Sequence, residues 1–315
     1  MKNIFSAVLT LSSLFTYNYT IAQGCSDAGF CTIGALNPQI IADTLGDERY
    51  LKNNFHLSPT FALGEQGVNI LHYTPEINIT LIKGLMWQAK MPYVYAWGNL
   101  GSNYGIGDVS TSFTYTHFFK KTSSLAITLG SKIPTHDAGA CENGRPLPMP
   151  YQRSLGTYDG ILGVKFMYKT WNFSAGYQMV LANKNENGFL ASRWTSDDDA
   201  QQYFVSNKLN RGDDMLLRAE KVFIVKKLNL SAGLLGIYRL NKDKYTDASG
   251  TETELTGSSG LTLNITGSAT YVFTPRSSFG MNFGFPVLVR ETRADGLTRS
   301  LVLSLAYQIN FNFKK

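Results

Sequence analysis

Charge is scarce in this 315-residue chain: Asp, Glu, Lys and Arg make up 17% of it, while aromatic residues reach 13%. So low a charge density with so much apolar surface excludes intrinsic disorder. Long apolar runs are missing too. Past the N-terminus the longest uncharged stretch is Leu255–Pro275, and it alternates apolar residues with Ser, Thr and Asn. It would make a poor lipid-spanning helix, so a helical membrane bundle is excluded. Cysteine and histidine are few, at 3 and 4, and their spacing matches no zinc site. No nucleotide-binding or energy-coupling motif is visible, so neither a metal nor another cofactor is expected. A net charge of +6 is too modest to suggest nucleic acid. What is abundant is Gly (29), Tyr (17) and Phe (19), which favours an extended, all-β chain.

Met1–Ala22 reads as a secretory signal, with Lys2 first, an apolar core from Ile4 to Phe15, and Thr20-Ile21-Ala22 before the cleavage point. A retained anchor is disfavoured because the apolar core is short and broken by Ser12-Ser13. Export places Cys25, Cys31 and Cys141 in an oxidising setting, and the short loop between Cys25 and Cys31 suits a disulfide, leaving Cys141 unpaired. A competing role for Cys141 and lipid attachment at Cys25 are the alternatives. Residues 23–53 form a periplasmic or plug-like segment, and 54–315 the main body.

From Asn54 onward, alternating apolar and polar stretches are separated by turns. They predict twelve strands, at 54–63, 69–81, 85–97, 107–119, 124–134, 157–168, 171–182, 214–225, 228–240, 259–273, 277–290 and 299–313. In the last, Leu301, Leu303, Leu305, Tyr307, Ile309, Phe311 and Phe313 share one face, opposite Ser300, Ser304, Gln308, Asn310 and Asn312. Strands of a soluble sandwich typically run about five or six residues. These are longer and match the roughly ten-residue, tilted strands of a membrane barrel.

Connector lengths sort by side. Ile82–Gly84, Lys120–Ser123, Lys169-Thr170, Lys226-Lys227 and Thr274–Arg276 are short. Gly98–Ile106, Thr135–Gly156, Asn183–Asp213 and Asn241–Ser258 are long, and Gly64–Val68 and Glu291–Thr298 are brief exceptions. This sorting predicts a transmembrane antiparallel β-barrel of the outer membrane, with short periplasmic turns, long extracellular loops and both barrel ends on the periplasmic side. Aromatic residues near strand ends (Tyr93, Tyr95, Trp97, Tyr168, Trp171, Phe311, Phe313) fit interfacial belts, and the aromatic C-terminal strand resembles the signal read by the barrel-insertion machinery. Lys221 falls on the lipid-facing parity of its strand, so either a bulge near Glu220-Lys221 or snorkelling to the rim is expected.

Three motifs add a resemblance. Y-G-I-G-D-V (Tyr104–Val109), S-K-I-P-T (Ser131–Thr135) and R-S-L-G-T-Y-D-G-I-L-G-V-K-F (Arg153–Phe166) are similar in order and spacing to outer-membrane barrels associated with the phenol meta-cleavage pathway. That family is loosely similar to fatty-acid and aromatic-hydrocarbon channels. The resemblance runs from about Gly98 to the C-terminus and implies uptake of small, often hydrophobic compounds. It carries no catalytic residues. Only Gln23–Asn53 precedes the first strand, too short for the long hatch of a fatty-acid channel.

Strand parity turns Glu76, Lys90, Asp108, Lys132, Asp159, Lys165, Arg218, Glu220, Arg239 and Arg290 into the lumen, as substrate-path groups or as ion pairs stiffening the barrel. Met86, Val94, Phe118, Ile161, Met167, Val180, Leu216, Val222, Leu235 and Ile237 face the same way, so the lumen offers apolar patches as well. An outer-membrane lipase would need a Ser, an imidazole base and an orienting group at one lipid-facing edge. Of His56, His72, His117 and His136 only His117 has that parity, and an aromatic-belt role explains it more simply, so no enzyme is expected. Asp197-Asp198-Asp199 is read as a solvated loop. The expected function is a passive outer-membrane channel for small hydrophobic or amphipathic compounds, with outer-membrane lipid and lipopolysaccharide as surroundings. The alternative is a structural or adhesive barrel with a closed lumen and binding loops.

Overall fold

The alternating segments pair edge to edge and close on themselves. The computed structural model describes residues 30–37, 53–120, 122–194, 199–297 and 299–311. The barrel strands are β1 (Asn53–Leu63), β2 (Asn69–Ile82), β3 (in two pieces, Leu85–Lys90 and Tyr93–Gly98) and β4 (also in two, Gly101–Ile106 and Val109–Lys120). Next come β5 (Ser123–Ile133), β6 (Thr157–Tyr168), β7 (Trp171–Asn183) and β8 (Asp214–Val225). The last four are β9 (Leu228–Arg239), β10 (Gly260–Thr274), β11 (Ser277–Leu288) and β12 (Leu301–Phe311). Each pairs antiparallel with its chain neighbours, and β1 pairs with β12 as well as β2. Closure satisfies the ladder without helices, as a lipid environment demands.

Large apolar side chains lie exposed on the outward parity of every strand, among them Leu217, Leu234 and Leu303, while polar and charged side chains fill the inside. A soluble protein does not present such a continuous apolar belt. Aromatic pairs gather at the short-turn rim, where Trp171 stacks on Phe173 and Phe166 on Tyr168. Lys221 keeps its outward parity with no bulge in β8. Its ammonium lies 4.9 Å from the centre of the Trp171 ring, a cation–π contact that lets a lysine stay on this face. At the same rim Lys169 (φ 53) and Lys226 (φ 54) take the left-handed backbone conformation in two-residue turns.

One connector differs from expectation. Gly98–Ile106 is not a long loop: Gly101–Ile106 pairs with Tyr93–Gly98 as a tight hairpin that carries β3 and β4 beyond the neighbouring β5. Both strands break at the same level, at Met91-Pro92 and Gly107-Asp108. Pro92 has no N–H to give the ladder, and its carbonyl accepts from Gly107 N at 2.7 Å. Gly105 reads as a loop residue, yet at φ +143 it is a strand residue in a conformation that only glycine tolerates well, while Gly107, read as a strand start, lies at the break. Its missing Cβ leaves room for Arg153, which donates to Tyr104 O at 2.7 Å and covers the free edge of the hairpin.

Residues 1–29 lie outside the described residues, so the signal segment and Cys25 are not placed. Cys31 is buried, and Cys141 is free and exposed.

Two outcomes check this architecture. Leu234→Arg, at the middle of β9, should destabilise the barrel by about 2–4 kcal/mol in refolding titrations in lipid. An epitope inserted at Ser249-Gly250 should be reached by antibody on intact cells, whereas one at Lys226-Lys227 should need permeabilisation. The reverse pattern would mean an inverted barrel.

Candidate functional site

The lumen is divided by a segment of the chain itself. Residues 30–37 lie inside the barrel, where Phe30, Cys31, Ile33 and Leu36 pack with Ile161, Leu216, Leu235 and Ile237. Gly163 and Gly176 face Leu36 so closely that a Cβ on either would meet its side chain at 2.9 and 2.7 Å. The backbone of this plug is held by the wall. Gly34 N donates to Gln88 Oε1 (2.8 Å) and Ala35 N to Thr128 Oγ1 (2.7 Å). Three cations donate in the other direction, Lys90 to Thr32 O (2.6 Å), Lys165 to Asn37 O (2.7 Å) and Arg218 to Leu36 O (2.5 Å). Gly34 (φ +47) is required at the closest point, because a Cβ there would fall 2.4 Å from the hydroxyls of Thr114 and Thr128.

Towards the long loops the lumen is crossed by a buried ion-pair network. Lys132 reaches Asp108 (3.3 Å) and Asp159 (2.9 Å), Arg211 reaches Asp159 (3.7 Å) and Asp214 (2.7 Å), and Arg239 reaches Asp214 (2.7 Å) and Asp295 (2.8 Å) and bonds Asp243. Arg290 adds Asp295 at 3.2 Å and Asp243 at 3.8 Å. Asp243 and Asp295 come from loops, so the network ties the loops to the wall. Although burial opposes its charge, Arg290 and Arg239 hold the Asp295 carboxyl below the usual carboxylate range. Above it, loop residues Leu147, Tyr151, Phe189, Trp194 and Tyr203 bury themselves against Val68, Ile70 and Val94. The long loops thus form a cap rather than a fringe. Glu65, between β1 and β2, is buried against Arg293 at 2.8 Å. Burial outweighs the attraction of Arg293 and raises the Glu65 pKa to about 7.

Two cavities border the plug. One, of about 210 Å³, opens between plug and short turns. Met86, Phe118, Met167, Val222, Ile224 and Val272 give it an apolar side, while Asn54, Asn78, Gln308 and Asn310 give it amides. The second, of about 160 Å³, is lined largely by hydroxyls and amides of β1, β2 and β9–β12, including Ser58, Thr60, Ser231, Asn264, Asn282 and Ser304. Asn264 Oδ1 and Thr266 Oγ1 have no hydrogen-bond partner among the described residues. Asn37 and Glu76 line both cavities, so the two lie on either side of these residues beside the plug.

All ten charges predicted from parity face inward. Glu76 pairs with Lys90 at 3.0 Å and accepts from Asn78 and Gln88, both at 2.7 Å. Arg218 lies 4.0 Å from Glu220. Asp108, Lys132, Asp159, Arg239 and Arg290 belong to the network. Lys165 stands apart, holding the plug carbonyl with no ion-pairing carboxylate among the described residues. Sequence reasoning missed Arg211, Asp214, Asp243, Asp295 and the Glu65–Arg293 pair. His117 is exposed on the lipid face, edge-on to Phe119 with ring centres 4.9 Å apart.

No protein-family model and no curated protein sequence matches this chain. Solved structures do. The COG4313 outer membrane channel from Pseudomonas putida F1 is 15% identical, with a TM-score of 0.56 over 84% of this chain and 98% of that one. The NanC porin is 11% identical, with a TM-score of 0.47 over 82% and 100%. Outer membrane phospholipase A from Escherichia coli is 10% identical, with a TM-score of 0.40 over 87% and 98%. Identity this low makes the first a likeness of fold alone. Together with the closed strand ladder and apolar belt, it places the chain as a twelve-stranded β-barrel of the outer membrane, short turns to the periplasm and long loops outside.

Two predictions concern the cap. Arg239→Ala leaves Asp214, Asp243 and Asp295 without their shared partner and should destabilise the protein by about 3–5 kcal/mol in denaturant titration. Glu65 carries a raised pKa in the folded cap, with Arg293, Asp295, Arg299 and Tyr203 around it, so its contribution is complete below about pH 4.5 and lost as pH rises through about 7. Hydrogen-exchange protection in residues 291–297, taken relative to the intrinsic exchange rate at each pH, should fall from pH 5 to pH 8 in the native protein. Glu65→Gln should flatten that change.

Proposed function

We propose that the protein is a passive outer-membrane channel for small amphipathic compounds. The observation that carries this reading is the pair of cavities separated by Asn37 and Glu76, beside a plug that leaves part of the polar wall uncovered. The cavity on the periplasmic side sets an apolar face against a row of amides, a lining suited to an oriented, partly apolar ligand. Both ends of the path are closed by contacts that can be exchanged. The plug is held mainly through hydrogen bonds to its backbone, and the mouth is sealed by ion pairs among mobile-length side chains. Passage then consists of displacing the plug and parting the cap, with no energy input from this chain.

A second reading has its own support: the buried Tyr151, Phe189, Trp194 and Tyr203 of the cap favour a closed barrel that presents its loops for contact.

Planar-bilayer recording separates the two. Purified protein should show small, infrequent conductance steps. Gly34→Val, which drives a side chain into Thr114 and Thr128, should raise conductance several-fold, and Arg239→Ala or Arg290→Ala should lengthen the open times. A barrel silent in all four forms, whose deletion leaves uptake of amphipathic compounds unchanged, would favour the closed reading.

A further inference from the structure

Among the described residues, positive charge gathers at the periplasmic end of the barrel without a carboxylate in ion-pair contact. The lumen cations beyond the plug all have carboxylates: Lys90 has Glu76, Arg218 has Glu220, and Lys132, Arg211, Arg239 and Arg290 share the aspartates of the network. The cavity of about 210 Å³ has Lys165 and Lys169 in its lining and one carboxylate, Glu76, which Lys90 holds at 3.0 Å; neither lysine lies within ion-pair distance of a carboxylate among the described residues. Lys165 gives one hydrogen bond to Asn37 O, and Lys169 lies 5.3 Å from the centre of the Tyr168 ring. An ammonium has three donors, so Lys165 retains hydrogen-bonding capacity towards the cavity, while Lys169, its ammonium over an outward-facing ring, adds positive charge at the rim.

The rim repeats the pattern. The five short turns carry Lys83, Lys120, Lys169, Lys226, Lys227 and Arg276, all exposed, and no Asp or Glu. A ring of one sign around a low-dielectric mouth concentrates ligands of the opposite sign. Inside that ring the cavity offers Met86, Phe118, Met167, Val222, Ile224 and Val272 on one side.

We propose that this vestibule is a binding site for a small amphipathic anion, with the anionic group on Lys165 and the apolar part against the Met86, Phe118 and Met167 wall. The proposal deepens the channel reading and rests on it for the route that the ligand takes. It also gives the plug a means of release. A carboxylate that engages the remaining donors of Lys165 draws the ammonium towards the cavity and so weakens its hydrogen bond to the Asn37 carbonyl at the end of the plug.

Isothermal titration calorimetry on the full protein in nanodiscs tests the site with three ligands of one size: 4-phenylbutyrate, 4-phenyl-1-butanol and 4-phenylbutylamine, each corrected against empty nanodiscs. The carboxylate should bind at least about tenfold more tightly than the alcohol or the amine. Lys165→Met should lower it to the alcohol's level without changing the alcohol's own affinity. Lys165→Gln, whose amide can still donate to Asn37 O, should give the same loss if the first variant fails to fold, and Lys169→Asn at the rim should have at most a small effect. Equal affinity for the three ligands, as expected if the ring serves lipid headgroups alone, would overturn the proposal. So would carboxylate binding that neither Lys165 variant weakens. Because the readout is binding, a barrel that binds the carboxylate yet never conducts would sink the channel reading while leaving the site standing.

Discussion

The guanidinium of Arg239 is the point on which the outer half of the molecule depends. It is 1% exposed and holds Asp214 from β8, Asp243 from one loop and Asp295 from another. Removing a charge from water costs several kcal/mol, and only close, multiple partners offset this. The loops are therefore not free to choose their positions: wherever Arg239 sits, three carboxylates must follow. Arg290 and Arg211 extend the same demand across the lumen, and the apolar cap closes over what the ion pairs have fixed. Such a mouth has two states rather than a continuum, because parting one pair leaves its neighbours buried and unmatched.

The inner half is governed by a different constraint, the space between plug and wall. β6 and β7 supply Gly163 and Gly176 where Leu36 presses, and β4 and β5 supply the Thr hydroxyls where Gly34 passes. The opposite wall carries Ser, Thr and Asn over β9–β12 and β1, residues small enough to leave a passage and polar enough to be wetted. The barrel is thus built as two unlike halves, one shaped for its own N-terminal segment and one left for something else.

Much of this was legible before any coordinates. The period of two turned all ten candidate charges inward and placed the twelve strands, because a one-residue slip would have put charges into lipid. The sorting of connectors by length gave the orientation. What periodicity does not encode is which inward charge meets which. Asp243 and Asp295 stand in loops, and their link to Arg239 spans 4 and 56 positions, a relation that only closure of the barrel creates. The hairpin of Tyr93 to Ile106 was missed for a local reason, since Gly105 punctuates a strand as it would a loop. Lys221 was ambiguous in sequence because the Trp171 ring that shelters it lies on the neighbouring strand β7, separated from β8 in the chain by a long loop.

The turns at the periplasmic rim carry a consequence for how the barrel assembles. Lys169 and Lys226 adopt a left-handed backbone that Gly or Asn would hold with less strain, a difference of about 1 kcal/mol at each site. Turns optimised for hairpin nucleation use those residues, so these two favour charge over local order. The hairpins they join gain their register late, from Trp171, Phe173 and the partners of those rings across the strands, and not from the bend itself. Assembly is then governed by the long-range meeting of β1 with β12, and the last step of closure, rather than the first hairpin, decides whether a chain becomes a barrel.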